Sequence, residues 1–247
     1  MSDGIYVALS GAIARTRQLE TVANNLANVD STAYRPQRVT FRSVLATATP
    51  PPPVEVEGRS VEVPVDRFHA VASVEEPAFS QGVLKQTGRS LDLALEGDGW
   101  FVVRTPNGPR YTRDGHFTRS ASGFLVAQDG AKVMGKKGPV RLPPGMVEID
   151  ARGNVFVSGR AVDRLRIVAF ARGDGLRREG ANRYAANGQG RPSAARVHQG
   201  ALEQSSVSAI GELIALVDIQ RSFDALQEAI RAYREMDTQA VGTARSG

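Results

Sequence analysis

Three acidic residues, Asp92, Glu96 and Asp98, lie close together in the sequence. If this stretch is a strand, Asp92 and Glu96 share a face, and a carboxylate pair of that kind is able to perform general acid–base chemistry. The stretch ends, however, in the turn signal Gly97-Asp98-Gly99, where acidic residues commonly lie at the surface. We therefore interpret the three as surface and turn carboxylates.

Two other stretches contain residue types found in active sites. Asp114-Gly115-His116 sets an imidazole beside a carboxylate, but the glycine marks a tight turn and the sequence positions no nucleophile beside the pair. The stretch Gly135-Lys136-Lys137-Gly138 lacks the upstream glycine and the following Ser or Thr of a phosphate loop, and Gly97-Asp98-Gly99 does not open a helix. The sequence therefore predicts no catalytic and no cofactor-binding residue.

The sequence also offers few residues that could bind a metal ion. The chain has no cysteine, which excludes disulfides, thiolate zinc sites and a cysteine nucleophile. Its three histidines, His69, His116 and His198, are far apart in the sequence. We predict no metal site and no enzymatic activity.

The positive charge of the chain lies in its middle. Residues 35–204 carry 25 Lys and Arg against 17 Asp and Glu, a net charge of +8, whereas residues 1–34 and 205–241 are net acidic at −1 and −3. The basic residues are interspersed and form no long run, which favours a solvated surface over nucleic-acid binding. No nucleic-acid partner is predicted, although a binding module with a basic β domain stays open as an alternative.

The two ends of the chain each predict an amphipathic helix. From about Asp3 to Asn28 there is no proline, and apolar or small residues repeat at alternating spacings of four and three. The repeat is Ile5, Leu9, Ala12, Thr16, Leu19, Ala23 and Leu26. From about Ser205 to Val241 the first two turns are broadly apolar and a second repeat follows, with Ser205, Ser206 and Ser208 as N-cap candidates. This second repeat is Leu216, Ile219, Phe223, Leu226, Ile230 and Tyr233.

A period of 3.5 residues favours packing of helix on helix, because a helix lying on a sheet shows a broader apolar stripe. Packing of each helix on the middle of the chain is the alternative. The pattern leaves open whether the partner is the other terminal helix or a neighbouring subunit.

Between the helices the sequence predicts an extended linker and a β domain. The linker contains the proline run Pro50–Pro53 and an alternation of Val and Glu after it. From about Val71 to Gln204, short apolar runs alternate with turn dipeptides such as Asn107-Gly108, which predicts antiparallel strands. The expected domains are a helix at 1–34, a linker at 35–70, a β domain at 71–204 and a helix at 205–247.

Three stretches of the chain resemble the flagellar rod and hook proteins. The first comprises Gly4–Ala12 (GIYVALSGA) and Val22–Asn28 (VANNLAN). The second is Leu91–Val103 (LDLALEGDGWFVV), and the third comprises Gln199–Val207 (QGALEQSSV) and Gln220–Phe223 (QRSF). They stand in the family's order and, with the β pattern between them, extend over nearly the whole chain. The opening segment is most similar to the proximal rod member, with the distal rod member as the alternative.

The resemblance implies a non-enzymatic subunit of the flagellar basal-body rod that polymerises through its terminal helices. It implies an α+β fold in which an antiparallel all-β central domain is flanked by long N- and C-terminal helices that pair as a coiled coil. Expected partners are copies of the chain, other rod and hook proteins, and the type III export apparatus. We expect a location in the periplasm-spanning rod, export without a cleaved signal peptide, and no membrane insertion, since no run of about 18 apolar residues is present.

The assembly interface is expected at the helical repeats and at a group of asparagines that end the first helix. The asparagines are interpreted as capping and inter-subunit hydrogen-bonding groups, with solvated polar residues as the alternative. The predicted interface residues are Ile5, Leu9, Ala12, Leu19, Ala23, Asn24, Asn25, Leu26, Asn28, Leu216, Ile219, Phe223, Leu226, Ile230 and Tyr233.

Overall fold

The computed structural model describes the backbone of residues 2–45, 54–56, 59–61, 69–77, 80–171, 175–188 and 190–245. Side chains are described for residues 11–39, 80–171, 175–188, 190–232 and 234–235. The chain divides into two compact units. The helical unit comprises Met1–Leu26, Gln37–Ala78 and Ala209–Gly247, and the β unit comprises Ala27–Pro36 and Phe79–Ser208. The predicted domain boundaries stay predictions, and the proline run 50–53 lies outside the described residues.

The helical unit contains one helix from each end of the chain. Helix α1 is Ser2–Ala27 and helix α2 is Ala209–Arg245. Neither range contains proline, and α2 begins directly after the N-cap candidate Ser208. Glu212 in the first turn of α2 complements the partial positive charge of the helix N-terminus.

Two strand pairs complete the description of the helical unit. Its strands are β1 (Gln37–Leu45), β2 (Val54–Val56), β3 (Arg59–Val61) and β4 (His69–Pro77). Strand β1 pairs antiparallel with β4 along its whole length, and β2 pairs antiparallel with β3.

The β unit consists of short strands. Their bounds are β5 Leu84–Gln86, β6 Leu93–Glu96, β7 Trp100–Thr105, β8 Gly108–Thr112, β9 Phe117–Arg119, β10 Leu125–Ala127, β11 Lys132–Val133, β12 Val147–Ile149, β13 Asn154–Val157, β14 Arg160–Arg164, β15 Ile167–Ala169, β16 Arg177–Arg178, β17 Arg183–Ala185, β18 Arg191–Pro192, β19 Arg196–Gln199 and β20 Ala201–Glu203. All of the strand pairs described are antiparallel.

Strand β7 lies at the centre of the largest sheet, whose described strands run in the order β16-β17-β8-β7-β11-β10-β9, with β15 also paired to β7 and β18 to β15. Side chains alternate across a strand. Accordingly, Phe101 and Val103 enter one buried cluster with Leu93, whereas Trp100 and Val102 enter a second cluster on the other face. Both faces of β7 are therefore covered, which explains why its apolar residues form a continuous run.

The predicted turn signal Asn107-Gly108 is confirmed as a hairpin connection, and two further dipeptides of the same kind have the same role. Asn107-Gly108 joins β7 to β8, Asp129-Gly130 joins β10 to β11, and Gly153-Asn154 joins β12 to β13. Asp114-Gly115 has a different role, because a Cβ built on Gly115 would lie 1.6 Å from the carbonyl oxygen of Leu93. Glycine is needed there for close packing of two backbones.

The predicted fold class is wrong, because the terminal helices do not form the expected coiled coil. Within the described side chains they meet at isolated points, such as Leu226 beside Gly11, and they do not pack along their lengths. The predicted α1 repeat is not a continuously buried face. Ala12 is buried, but Thr16 and Ala23 of the repeat are exposed, whereas Val22 outside it is buried.

The physical reason lies in the weak apolar character of the predicted α1 repeat. Thr16 and Ala23 offer little apolar area to a partner, and the Thr16 hydroxyl donates to the carbonyl of Ala12 within the same helix at 3.1 Å. Near the C-terminal end of α1, Asn25 forms two hydrogen bonds to Gln37 at the start of β1. These bonds direct the helix face that contains Val22, next to the predicted one, towards β1. The buried face is therefore displaced by one residue from the predicted one over this part of the helix.

Candidate assembly surface

A stripe of exposed apolar side chains follows the first turns of α2. It consists of Ile210, Leu213, Ile214 and Val217, which are 73, 49, 59 and 45 % exposed. Residues three, four and seven apart lie on one side of a helix, so the four form a continuous surface that we call the α2 stripe. An exposed apolar surface of this kind is typical of a protein–protein contact.

The predicted residues of α2 do not belong to the stripe and are better covered. Ile219 is buried at 3 % exposure, and Leu216, Phe223, Leu226 and Ile230 are half-buried. The side chain of Tyr233 lies outside the described set. Sequence analysis noted the apolar first turns but left them out of the predicted interface, although their spacing was a usable signal.

The predicted residues of α1 are divided between covered and exposed positions. Ala12 is buried, Leu19 and Leu26 are half-buried, and Ala23 is exposed. The side chains of Ile5 and Leu9 are outside the described set. The structure therefore leaves Ala23 in contact with solvent, together with Ile13, which is 52 % exposed.

The asparagines differ in what they contact. Asn25 is buried, and its amide donates to the carbonyl of Gln37 at 3.0 Å and to Glu212 of α2 at 3.3 Å, while its oxygen accepts from the Gln37 N–H at 3.0 Å. Asn28 is half-buried and its side-chain oxygen accepts from the Ser31 hydroxyl at 3.0 Å. Asn24 is exposed. Asn25 thus connects α1, β1 and α2 within one chain.

The β unit holds the two chain segments from which the helices depart. The Ala33 N–H donates to the carbonyl of Glu203 at 2.8 Å, and the Ser206 N–H donates to the carbonyl of Tyr34 at 3.1 Å. These two bonds pair the segment after α1 with the segment before α2. We call this paired region, together with Arg35, Arg113 and Glu203, the terminal clamp.

A buried ion cluster fixes the terminal clamp. Glu203 is 1 % exposed and forms salt bridges with Arg35 at 3.2 Å and with Arg113 at 3.4 Å. It also accepts the Gly82 N–H at 3.0 Å, and Arg35 donates to the carbonyl of Ser80. One carboxylate thus neutralises one of two buried guanidinium charges, which makes its own charge indispensable to the cluster.

The remaining charge of the cluster is stabilised by Trp100 and by backbone oxygens. The guanidinium carbons of Arg35 and Arg113 lie 5.6 and 5.9 Å from the centre of the Trp100 ring, within the range of cation–π attraction. Arg113 also donates to the carbonyls of Leu95 and Gly97. Burial lowers the pKa of Arg113 to about 10, and the charge of Glu203 opposes that shift. Arg113 therefore stays protonated at neutral pH.

Tyr34 and Ala33 complete the terminal clamp. The guanidinium carbon of Arg178 lies 4.1 Å from the centre of the Tyr34 ring, and Arg178 donates to the carbonyl of Arg35 at 3.1 Å. Ala33 is buried with a φ of 55°, a left-handed conformation that disfavours a residue with a Cβ. Sequence analysis missed this cluster, since Arg35 and Glu203 are far apart in the chain. Glu203 lies in one of the motifs that carry the resemblance, but that motif gives no sign of an ion pair.

The residues first considered for chemistry are dispersed. Asp92 is buried, whereas Glu96 is exposed and pairs with His198 at 2.7 Å. Asp98 is exposed, and Asp114 accepts the backbone N–H of His116 at 3.0 Å. The described residues contain no group of acidic and histidine side chains arranged to hold a metal ion. None of the described helices has the length and hydropathy needed to cross a membrane.

The comparisons with known proteins agree with the resemblance over three parts of the chain. Residues 5–35 match the family described as "Flagella basal body rod protein". Residues 94–157 match "Flagellar hook protein FlgE/F/G D1 domain", and residues 198–243 match "Flagellar basal body rod FlgEFG protein C-terminal". The chain belongs to this family of flagellar rod and hook proteins.

Among individual relatives, the similarity is to rod proteins. The chain is 34 % identical to the flagellar basal-body rod protein FlgF of Rhizobium meliloti, over 94 % of this chain and 93 % of the relative. It is 32 % identical to FlgF of Caulobacter vibrioides, over 98 and 97 %. It is 28 % identical to FlgG of Bacillus subtilis, over 99 and 100 %. The predicted resemblance to a FlgF-like rod protein, with FlgG as the alternative, is confirmed.

Proposed function

We propose that this chain is a structural subunit of the flagellar basal-body rod and that it joins its neighbours through the α2 stripe. Its similarity over nearly its full length to FlgF rod proteins is the observation that carries the proposal. Its neighbours are copies of the chain and other rod and hook proteins, and its place is the basal body of the flagellum.

The α2 stripe supports this proposal physically. Each large apolar side chain moved from water into a protein contact contributes roughly 1.5–3 kcal/mol when fully buried. A single subunit leaves four such side chains partly in water, and a neighbouring subunit covers them. Assembly is therefore favoured by burial that the isolated chain does not achieve.

The terminal clamp gives the β unit a part in the same function. The clamp holds the segment that follows α1 beside the segment that precedes α2. A subunit of a rod transmits torque through such connections, and a buried ion cluster resists their separation. We assign the clamp a structural role: it keeps the segment after α1 paired with the segment before α2 when the rod is under load.

Between the two rod relatives, the proximal FlgF type is the assignment we favour. The FlgF relatives compared are 28–34 % identical to the chain and the FlgG relatives 25–30 %, and the two highest identities given above are both to FlgF. A strain lacking the gene, complemented with a FlgF or a FlgG coding sequence, separates the two. We expect rescue by FlgF alone, and rescue by FlgG alone would reverse the assignment.

The experiment that tests the proposed function is replacement of the native gene by a stripe variant. Leu213→Ser with Ile214→Ser makes the centre of the α2 stripe polar without touching the β unit. We expect non-motile cells whose envelopes, seen by electron microscopy, lack complete rods. Arg221→Ser with Asp224→Ser is the matched control, since both residues are exposed on α2 and the net charge is unchanged.

Two results would contradict the proposal. Normal motility and intact rods in a strain lacking the gene altogether would remove the rod function. Intact rods built from the Leu213→Ser/Ile214→Ser chain would keep the rod function and remove the α2 stripe as its contact surface.

A further inference from the structure

A basic groove lies in the β unit, and none of its described lining residues belongs to the terminal clamp. It has a volume of about 900 Å³ and lies where the β11–β12 and β12–β13 connections meet β14, β15 and β19. Its cationic lining residues are Lys136, Arg152, Arg164, Arg166 and Arg196. No carboxylate is among its lining residues within the described part of the chain.

Three of the five cationic side chains of this groove form no salt bridge within the described part of the chain. Lys136, Arg152 and Arg196 are exposed, and none of them forms a salt bridge with a described carboxylate. Arg164 is held in place because its Nε donates to the carbonyl of Arg152 at 3.0 Å. Nearby Asp163 accepts hydrogen bonds from the backbone N–H groups of Lys137 and Arg164, and its single negative charge is outnumbered by the five cations of the lining. The groove therefore carries a concentrated positive charge on a fixed frame.

A second groove in the β unit shows the contrast. It has a volume of about 610 Å³ and is also lined by basic residues. There, however, Arg110 pairs with Glu179 and Arg183 pairs with Asp129, and both carboxylates belong to the lining. Two arginines of the second groove are thus paired with carboxylates, whereas Lys136, Arg152 and Arg196 of the basic groove form no salt bridge with a described carboxylate.

The floor of the basic groove limits the kinds of ligand that the groove is able to bind. By floor we mean the apolar lining residues Leu165, Ile167 and Val168 with small neighbours such as Ala194 and Ala195, and no aromatic residue is among the lining residues that the structure describes. Nucleic-acid bases would find no stacking platform there. Its volume is that of a small-ligand or short-peptide site. Guanidinium groups around an apolar floor suit a chain segment that alternates carboxylates with apolar side chains.

The sequence of this protein contains such a segment. Residues 54–66 read VEVEGRSVEVPVD, with four acidic residues against one basic residue. We propose that the basic groove binds this acidic segment of a second copy of the chain. The proposal rests on the proposed function, since it concerns a contact between subunits. The valines cover the apolar floor, and Glu55, Glu57, Glu62 and Asp66 supply the carboxylates that the rim lacks.

The test is a titration of the full chain with a fluorescein-labelled synthetic peptide of residues 54–66, followed by fluorescence anisotropy. The host chain carries Gln or Asn at its own four acidic positions of this segment, which removes competition. We expect saturable binding that weakens as ionic strength rises. Arg152→Gln with Arg196→Gln should weaken binding about tenfold or more, because two charge-assisted contacts are lost.

Matched controls isolate the groove from general charge. Arg119→Gln with Arg141→Gln removes the same charge from exposed positions outside the groove, and it should leave the affinity nearly unchanged. A peptide with amides at its four acidic positions should bind about tenfold or more weakly than the parent peptide.

Three results would overturn the proposal. They are equal binding of the amide peptide, equal loss of affinity in the control variant, and tighter binding of a single-stranded oligonucleotide that depends on Arg152 and Arg196. The titration is independent of rod assembly. A motile deletion strain would therefore count against the proposed function alone, and a failed titration beside a non-motile strain would count against the groove alone.

Discussion

The β unit and the terminal helices treat their apolar side chains in opposite ways. In the β unit the large apolar residues pack into two clusters on the faces of β7, and among its described residues Val83 and Met146 are the large ones left exposed. On the helices, Ile13 and the four residues of the α2 stripe are exposed. The β unit completes its own core, whereas the helices retain exposed apolar surface, which we propose is covered by a neighbouring subunit. The same chain thus combines a β unit that buries its own apolar residues with terminal helices that leave apolar side chains exposed.

The largest effect should come from breaking the terminal clamp. Glu203→Gln leaves Arg35 and Arg113 buried without a counter-charge, and we expect the free energy of unfolding of the β unit to fall by about 3–5 kcal/mol. Chemical denaturation measures it. Glu96→Gln is the control, because Glu96 is an exposed carboxylate paired with His198. A loss no larger than that of the control would mean that the cluster does not hold the β unit together.

A smaller effect should distinguish the two faces of α1. Val22→Ala removes two buried carbon atoms, and we expect it to cost roughly 1–2 kcal/mol in local stability. Ala23→Ser, on the exposed neighbouring position, should cost no more than about 0.5 kcal/mol, as expected from helix propensity. Hydrogen exchange of the α1 amides measures both. A larger loss of local stability for Ala23→Ser than for Val22→Ala would mean that the buried face of α1 is the one predicted from the sequence.

The smallest effect is expected at Ala33. Ala33→Gly relieves a left-handed alanine inside the terminal clamp, and thermal unfolding should show a gain of up to about 1 kcal/mol. Ala121→Gly is the control, since Ala121 is exposed and has no positive φ, and it should give no gain. A destabilised Ala33→Gly chain would mean that the Cβ of Ala33 contributes more through packing than it costs in strain.

Sequence reasoning predicted what depends on local pattern. The spacing of apolar residues predicted a helix at each end, and Asn107-Gly108 predicted the β7–β8 hairpin, because that dipeptide adopts the turn on its own. The family followed from three motifs that stand in the right order. The same reasoning was wrong about the coiled coil, since a 3.5-residue period does not reveal which side of a helix is covered.

The features that sequence reasoning missed depend on distant residues. Glu203 meets Arg35 and Arg113 only after the β unit has folded, and the chain between them gives no hint of the meeting. The contact of Asn25 with Gln37 rotates α1 for a similar reason. The charge of the middle segment was counted from the sequence, but its concentration in one groove required the arrangement of β14, β15 and β19.

Hydrogen–deuterium exchange on the free chain and on isolated basal bodies tests the central claim most directly. In the free chain, amides of β7 and β8 should be strongly protected, while those of residues 210–217 in α2 should exchange fast. In basal bodies, residues 210–217 should gain protection because a neighbouring subunit covers the α2 stripe. Equal protection of residues 210–217 in the two states would contradict the account.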